Sequence, residues 1–302
     1  MAFSVLNRED QQVFIGSGQV FGIQSANASY TVPEQPMEFI GSTKIIPVPT
    51  SSQVGQMQFE ALAIDTDPFI QCISENSFNA YLVKDNTNFN DFHYSFNSGY
   101  LESYSNSCSV GEIPSIQAAF KVVGDMGRIP TGDMATDAQE EVSNIKNTTK
   151  VDPAFKIPTA STIEITLDEF QTNLVDNYSV NINIPRKDYY KLGNRQPHQV
   201  KIDYPIVVTT NFTIEINDYS GNLIRSYPCK QKLKDFEIRL KDHKTREVLT
   251  KFTFSGATLV SENYTVNTDE NAKISATYKS YISDLQTLNN NMNTNELKTE
   301  TS

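Results

Sequence analysis

The sequence predicts an all-β-dominated fold with minor α content, arranged as two tandem β-sandwich or barrel domains. Residues 177–185 alternate apolar and polar side chains, the period of two expected of a strand with one buried face. The same alternation occurs 152 residues earlier, and Pro33 closes the earlier segment as Pro185 closes the later one. Further apolar residues match between the halves at an offset of 158, for example Phe78 with Phe236. These observations predict one strand-built unit present twice.

The polar faces of these two organising strands carry amides and hydroxyls instead of charged groups. They consist of Ser25, Asn27, Ser29 and Thr31 in the first copy and Asn177, Ser179, Asn181 and Asn183 in the second. Serine, asparagine, glutamine and threonine also dominate the polar faces of the other predicted strands. Faces of this composition suit contact with water, with another subunit or with a lumen.

A proline-bearing segment follows each organising strand. Residues 33–54 contain four prolines, which lack the backbone N–H that a regular strand ladder uses. We therefore predict a long projecting loop there and a counterpart in residues 185–205. Loops of this length in a compact domain are uncommon unless they serve a function.

The strands after each loop match in position and in facing. Residues 56–64 correspond to residues 211–216, and the closing strands cover residues 116–122 and 274–280. Residues 236–254 are predicted to form a hairpin. Aromatic residues at equivalent positions are predicted to fill the core; they are Phe59, Phe78, Phe96, Phe120, Phe212, Phe236, Phe254 and Tyr278.

Changes in composition set the predicted domain boundaries. The first domain covers residues 1–123 and the second covers residues 159–282. In the linker between them, residues 124–158, residues 133–146 show helical spacing of apolar side chains. A solvated linker and a helix docked across the two sheets both fit this spacing. Residues 283–302 are rich in asparagine and threonine and have little to bury, so alone they are predicted to be disordered.

The overall charge argues against a protein that binds nucleic acid through its phosphates. The formal net charge is −11 and the pI is near 4.8, whereas such binding needs a surplus of Lys and Arg. The first ten residues show no secretory signal, and no apolar run approaches the roughly 20 residues that span a bilayer. We expect a protein that is made in a cytoplasm and stays soluble until it meets a partner.

No catalytic or metal-binding motif stands out in the sequence. The three cysteines form no CxxC pair and the three histidines are scattered. Asp65 and Asp67 have the spacing that begins a calcium loop, but the required glycine is absent, so a strand-end turn is the simpler interpretation. Asp242 beside His243 has the residue types of an acid–base pair, yet it lies in a predicted hairpin turn and is expected to be solvated. We predict no catalytic residue, no metal site and no cofactor.

Segments of the second half resemble a known family. The string Tyr178-Ser-Val-Asn-Ile-Asn-Ile-Pro-Arg-Lys-Asp-Tyr-Tyr-Lys-Leu-Gly193, followed by a proline-bearing loop and residues 205–212, is similar to the inner-sheet hairpin of tail tube proteins from long-tailed bacteriophages. Residues 257–266 and 272–278 are similar to the closing strands of that fold. The first half shows a weaker form of the same pattern.

The resemblance implies how such a chain assembles. Tube proteins of this family pack two sheets into a sandwich or small barrel, and neighbouring subunits join edge to edge into a ring-shaped barrel. Members with two tube domains form trimeric rings with pseudo-sixfold symmetry. Pairing between subunits would use the polar-faced strands named above. Three chains of −11 would give −33 per ring, a repulsive lining for DNA if the acids face inward.

The resemblance also implies a role for the two proline-bearing arms, residues 33–53 and 185–204. The arms would reach the next ring and carry stacking. The residues expected to do so are Pro36, Pro47, Pro49, Arg186, Arg195 and Pro197.

The expected function is mechanical and not enzymatic: a tail tube subunit, a virion structural protein that polymerises into stacked rings forming the conduit for DNA delivery and is synthesised in the host cytoplasm. Its expected partners are further copies of itself, the tape-measure, terminator and baseplate proteins, and DNA that passes through the lumen without specific binding. No membrane anchoring is expected. A distal tail, baseplate or tail-terminator ring protein is the nearest alternative. A two-domain β-sandwich adhesin that binds glycans is an alternative of a different class.

Overall fold

The computed structural model shows an all-β-dominated, sandwich-like protein with one α-helix among the residues it describes. Those residues are 11–16, 18–38, 43–49, 54–64, 67–84, 92–124, 126–127, 155–167, 170–171, 175–194, 196–215, 233–266 and 271–292. The fold class predicted from the alternating patterns is confirmed.

The strands of the two halves occur in the same order. Those of the first half are β1 (Gln11–Ile15), β2 (Gly18–Val20), β3 (Ile23–Thr31), β4 (Glu34–Glu38), β5 (Ile45–Pro49), β6 (Val54–Leu62), β7 (Phe78–Lys84), β8 (Phe92–Ser109), β9 (Ser115–Val122) and β10 (Met126–Gly127). Those of the second half are β11 (Pro158–Leu167), β12 (Phe170–Gln171), β13 (Val175–Asn183), β14 (Arg186–Tyr189), β15 (Gln199–Ile202), β16 (Ile206–Glu215), β17 (Leu233–Asp242), β18 (Val248–Thr265) and β19 (Lys273–Ile282). Helix α1 (Leu285–Asn291) follows β19.

Strand pairings of the first half recur in the second. The antiparallel pairs β1–β7 and β4–β5 correspond to β11–β17 and β14–β15. The order β3–β6–β9–β8 repeats as β13–β16–β19–β18. The registers also agree, since Ser103 lies opposite Ala119 as Ser261 lies opposite Thr277. The domain boundaries stay a prediction, because β8 and β13 join the halves in one sheet.

The two longest strands, β8 and β18, take part in both layers of the sandwich. β8 pairs first with β7 and then with β9, and β18 pairs first with β17 and then with β19. Near each change of partner the backbone is left-handed, at Ser98 (φ 52°) and, 158 residues later, at Gly256 (φ 67°). A side chain in this conformation costs about 1–2 kcal/mol, so the corner is strained in the first copy and relieved by glycine in the second.

We expect Ser98→Gly to raise the free energy of unfolding by about 1 kcal/mol and Gly256→Ala to lower it by about the same amount. Crowding does not contribute at Gly256, because a Cβ added there would meet no atom within 4 Å. Urea unfolding followed by circular dichroism measures both variants. A loss of stability in Ser98→Gly would show that the first corner is not strained.

Aromatic side chains fill the core of each half, as predicted. Phe120 packs edge-on against Phe59, with ring centroids 5.9 Å apart, and also contacts Phe69 and Phe96. The corresponding cluster of the second half consists of Phe212, Phe236, Phe254 and Tyr278. Every member of the predicted set is buried except Phe78, which is partly buried against the same core.

The proline-bearing arms are regular hairpins, so the prediction of irregular loops is wrong. In β4–β5, Pro36 lies opposite Pro47 and Glu34 lies opposite Pro49. Hydrogen-bonded and non-hydrogen-bonded pairs alternate along an antiparallel ladder. Because these prolines share one parity, all of them can occupy the positions at which no N–H is needed. The number of prolines predicts a loop, whereas their spacing permits a regular ladder.

The segment after β19 differs from the disordered tail that its composition predicted. Asp284 caps α1 by accepting a hydrogen bond from the backbone N–H of Thr287 at 2.7 Å. Leu288 within α1 and Met292, the residue that follows it, are both buried against the core. A short apolar stripe therefore orders a segment that is polar on average. The predicted linker helix at residues 133–146 lies outside the described residues, as do residues 293–302.

The predicted hairpin at residues 236–254 is confirmed by β17 and β18, but one residue of its turn is not solvated. Asp242 is buried, and its carboxylate accepts hydrogen bonds from the backbone N–H groups of Ile157, Lys244 and Thr245 and from the Thr245 hydroxyl. These bonds, led by that of the Thr245 N–H, lower the pKa of Asp242 to about 2. His243 is exposed. Asp242 thus ties the turn to the residue preceding β11 instead of forming an acid–base pair.

Candidate assembly surface

One continuous antiparallel sheet passes through both halves and forms the candidate site. Its strands follow the order β3–β6–β9–β8–β13–β16–β19–β18, with β8 and β18 contributing their C-terminal parts. The halves meet where β8 pairs with β13, from Ser103 opposite Asn183 to Ser109 opposite Asn177. We call this pairing the internal junction.

One face of this sheet, the polar face, is lined by hydroxyl and amide side chains. Ser105 lies beside Asn181 and Asn181 beside Thr209, while Asn27 lies beside Gln58 in the first copy. A groove on this face is lined by residues of six successive strands, from β3 to β16, so the face is concave there. By strand alternation the predicted pairing residues share this face; they are Ser25, Asn27, Ser29, Thr31, Asn177, Ser179, Asn181 and Asn183.

The polar face is not acidic, although the expected repulsive lining required the acids to face inward. On its described strands the charged residues include Glu60, Glu215, Lys121, Lys273 and Lys279, and Asp176 of β13 reaches Lys273. Two of the lysines are ion-paired: Lys121 Nζ lies 2.8 Å from the Asp188 carboxylate, and Lys273 Nζ lies 2.8 Å from the Asp176 carboxylate. The net charge of −11 is therefore not concentrated on this face, which is nearly neutral.

Buried polar groups cross the internal junction. The Tyr178 hydroxyl on β13 donates to Asn106 Oδ1 on β8 at 2.7 Å. Two residues along β8, the Tyr104 hydroxyl donates to Asp67 Oδ2, and the other carboxylate oxygen of Asp67 accepts from the Phe69 N–H. Burial raises the pKa of Asp67 to about 6, against the lowering effect of these hydrogen bonds. The Asp67 carboxylate thus lies inside the fold and is bonded by protein groups. Asp65, the other aspartate of the calcium-loop spacing, lies outside the described residues.

The raised pKa of Asp67 predicts a pH-dependent stability. The folded protein binds the proton of the Asp67 carboxyl group more tightly than the unfolded chain does. This proton binding therefore stabilises the fold fully below the ordinary pKa of 3.8, and the stabilisation is lost as pH rises through about 6. We expect this loss to be about 3 kcal/mol. Asp67→Asn, which can still accept the Tyr104 hydrogen bond, should remove this dependence in urea unfolding between pH 4 and 7. Asp203→Asn, at an exposed position, is the matched control and should retain it.

The two ends of the sheet are unpaired among the described strands. β3 pairs with β6 on one side only, and residues 259–265 of β18 pair with β19 on one side only. These ends are the counterparts of the strands that meet at the internal junction, because β3 corresponds to β13 and β18 to β8. The end strands also keep the bulges of their counterparts. The bulge of β13 at Asp176 recurs in β3 at Gln24, and the bulge of β8 at Glu102 recurs in β18 at Val260.

The direction of the free backbone groups follows from the internal junction. Just beyond its ladder, the Ile184 N–H donates to the Glu102 carbonyl and the Val110 N–H donates to the Asp176 carbonyl. The backbone N–H and C=O groups of even-numbered residues in β8 and β13 therefore point toward the other strand. By the same alternation, even-numbered residues of β3 after its bulge, such as Ala28, direct their N–H and C=O outward.

Side chains that are covered at the internal junction have exposed counterparts at the two ends. Ile182 on β13 is 1% exposed, whereas its counterpart Tyr30 on β3 is 56% exposed. Asn106 on β8 is 0% exposed, whereas its counterpart Tyr264 on β18 is 58% exposed. Val32, Val260 and Val266 are also exposed at these ends. The ends thus display apolar side chains and unpaired backbone groups together, which marks an edge that requires cover.

The β14–β15 arm lies against the first half of its own chain. Lys121 Nζ on β9 contacts both carboxylate oxygens of Asp188 at 2.8 and 2.9 Å. The Arg186 guanidinium donates to the carbonyls of Leu101, at 3.0 and 3.1 Å, and of Ser74, at 2.8 Å. The sequence predicted a role for Arg186 in the arm, but no local pattern indicated these partners. The one sequence signal for Lys121 is that a lysine recurs 158 residues later, at Lys279, the equivalent position of the second half.

The remaining predicted arm residues are less constrained in the structure. Pro36 and Pro47 are exposed, and Pro49 ends β5. Pro197 is half-buried, and Arg195 lies outside the described residues. Leu192, near the tip of the second arm, is fully exposed. The role of these residues in ring stacking stays a prediction.

In the parts of the chain that the structure describes, no group of three or more His, Cys, Asp or Glu side chains could hold a metal ion. Nor does any helix of the described ranges have the length and apolar character needed to cross a membrane. The class that the fold defines is an all-β, sandwich-like protein whose eight-stranded sheet has two ends that no described strand pairs. No known family model matches the chain, and no curated protein matches it in sequence.

Proposed function

We propose that the chain is a tail tube subunit of a long-tailed bacteriophage, which assembles into trimeric, pseudo-hexameric rings that stack into a conduit for DNA. The observation that carries the proposal is the internal junction, because it pairs counterparts of the two free sheet ends. The end of β18 on one molecule and β3 on the next have the backbone and side-chain features of that junction. Repeating it between molecules covers both ends.

Such a contact is heterologous, since it joins different surfaces of identical chains. Heterologous contacts generate closed rings when the rotation per subunit closes, and open fibres when it does not. A concave sheet favours closure, and closure removes exposed edges altogether. Each molecule contributes eight strands in two equivalent groups of four, which supports a ring with twice as many repeats as chains.

The polar face supports the conduit function in a different way from an acidic lining. Tight binding of DNA requires a surplus of Lys and Arg at its phosphates. A nearly neutral surface of hydroxyls and amides, with two of its lysines already ion-paired, offers no such surplus. DNA could therefore pass along this face without sticking, which is the property a conduit needs.

The register of the junction makes the proposal testable by cross-linking. Asn181 lies opposite Ser105 at a non-hydrogen-bonded site, and the counterparts of this pair are Ser29 and Asn263. Directly opposed residues at such sites have Cα atoms about 4.5 Å apart, which suits a disulfide. We expect Ser29→Cys combined with Asn263→Cys to form disulfides between molecules under mild oxidation. Ser29→Cys with Thr265→Cys, two residues out of register, should not.

Electron microscopy of the purified protein separates the alternatives. Rings that stack into long hollow tubes support the tail tube. Single rings that never stack would favour a terminator or baseplate protein, because these must block one ring face. A monomer without the in-register disulfide would overturn the ring and favour an adhesin.

A further inference from the structure

The β4–β5 arm has the same ladder as β14–β15 but lacks the contacts of that arm. Arg186, opposite Ile202, corresponds to Glu34, opposite Pro49. The covered face of the second arm comprises Arg186, Asp188, Val200 and Ile202, and the two apolar members of this face are buried. The corresponding face of the first arm comprises Glu34, Pro36, Pro47 and Pro49, and its first three members are exposed.

The surface that would receive the first arm also lacks the contacts of its counterpart. The second arm reaches Lys121 on β9, and the counterpart of Lys121 is Lys279 on β19. Lys279 makes no ion pair with any described residue. Tyr281, two residues further on the same face, is 64% exposed. A half-buried lysine without an ion pair among the described residues and an exposed aromatic ring thus lie at the position where the first half is covered by an arm.

We infer that the β4–β5 arm of one molecule docks on the β19 surface of the adjacent molecule in the same ring, where Glu34 and Glu38 flank Lys279 and the arm prolines cover Tyr281. This inference rests on the proposed ring, because β3 must pair with β18 of the neighbour to bring the arm there. The occupant is a second copy of this chain. The contact is lateral, within one ring, whereas the resemblance implied contacts between rings.

Charge and shape both support this docking. Asp188, the acid that Lys121 binds, is replaced at the corresponding position by Pro36. Glu34 and Glu38 lie two residues to either side on the same face of β4, and both are exposed. A glutamate is one methylene longer than an aspartate, which helps it reach a lysine aligned with the neighbouring position. Pro36 and Pro47 form a rigid apolar surface between the acids, suited to an aromatic ring.

Charge reversal tests the inference. Lys279→Glu should raise the protein concentration needed for half-maximal ring assembly about tenfold, because it places like charges together. The double change Glu34→Lys with Glu38→Lys should weaken assembly similarly, and combining all three changes should restore it. Lys201→Glu, which lies on the uncovered face of the second arm, is the matched control and should have no effect. Analytical ultracentrifugation measures assembly, and circular dichroism verifies that each variant is folded.

A disulfide distinguishes lateral from axial docking. The test variant combines Glu38→Cys and Lys279→Cys in a Cys229→Ser background; the native Cys72 and Cys108 are buried. The two new thiols lie toward opposite ends of the eight-stranded sheet, so a disulfide between them joins two molecules. Lateral docking predicts a ladder of cross-linked products that stops at one ring's complement of chains, whereas an axial contact would continue beyond it. A continuing ladder, or rings that assemble equally well with Lys279→Glu, would overturn the docking while leaving the proposed tube intact. A failure of the Ser29–Asn263 disulfide in monomeric protein would overturn both.

Discussion

Ala28→Pro is expected to abolish assembly while leaving the monomer folded. Ala28 lies on β3, and its N–H points away from β6 toward the free end of the sheet. Proline is tolerated on such an edge because no internal hydrogen bond is lost. Between molecules it removes a ladder donor and leaves the carbonyl of the neighbour unsatisfied, so the assembly concentration should rise about 100-fold. Sedimentation velocity measures this rise, and thermal unfolding of the monomer tests the fold.

Two control variants isolate the role of the backbone N–H at this position. Ala28→Ser keeps the N–H and should assemble as the wild type does. Val180→Pro makes the equivalent change at the internal junction, where the N–H points to β8, and should destabilise the monomer itself. If Ala28→Pro assembled normally, β3 could not be a strand that pairs with β18 of a neighbour, and the proposed ring would fail with it.

The sequence predicted the strands because local alternation reports which face of a strand is buried. β13 alternates clearly, and its pattern located both that strand and β3 at the correct places. The same reasoning failed for the arms, since it treated Pro36 and Pro47 as ladder breakers although they share one parity. It failed for α1 because an average over a polar segment concealed Leu288 and Met292.

The candidate site was predictable only in part, since strand pairing over long distances leaves no local pattern. The polar-faced residues of β3 and β13 were found, but alternation alone could not show that β13 is covered on both edges and β3 on one. Arg186 was found, whereas its carbonyl partners in Leu101 and Ser74 come from a remote part of the chain. Asp67 was assigned to a strand-end turn, and its buried partner Tyr104 lies 37 residues away in the sequence.

Phe120→Ala is expected to lower the free energy of unfolding of the monomer by about 3–5 kcal/mol. Phe120 is fully buried and its ring contacts Phe59, Phe69 and Phe96, so truncation leaves a cavity that three aromatic rings border. Urea unfolding followed by far-ultraviolet circular dichroism measures the loss. Val110→Ala, at an exposed position, is the matched control and should change stability by less than about 0.5 kcal/mol.

The shape of this unfolding curve bears on the two predicted domains. The halves share the β8–β13 ladder and the buried hydrogen bond from Tyr178 to Asn106, so loosening the first half exposes an edge of the second. We therefore expect Phe120→Ala to shift one cooperative transition, and Tyr278→Ala in the second half to shift the same one. Two separate transitions, each moved by one variant, would mean that the halves unfold independently. The internal junction would then be too weak to serve as the template for contacts between molecules, because the same pairing must hold a ring together without a covalent connection.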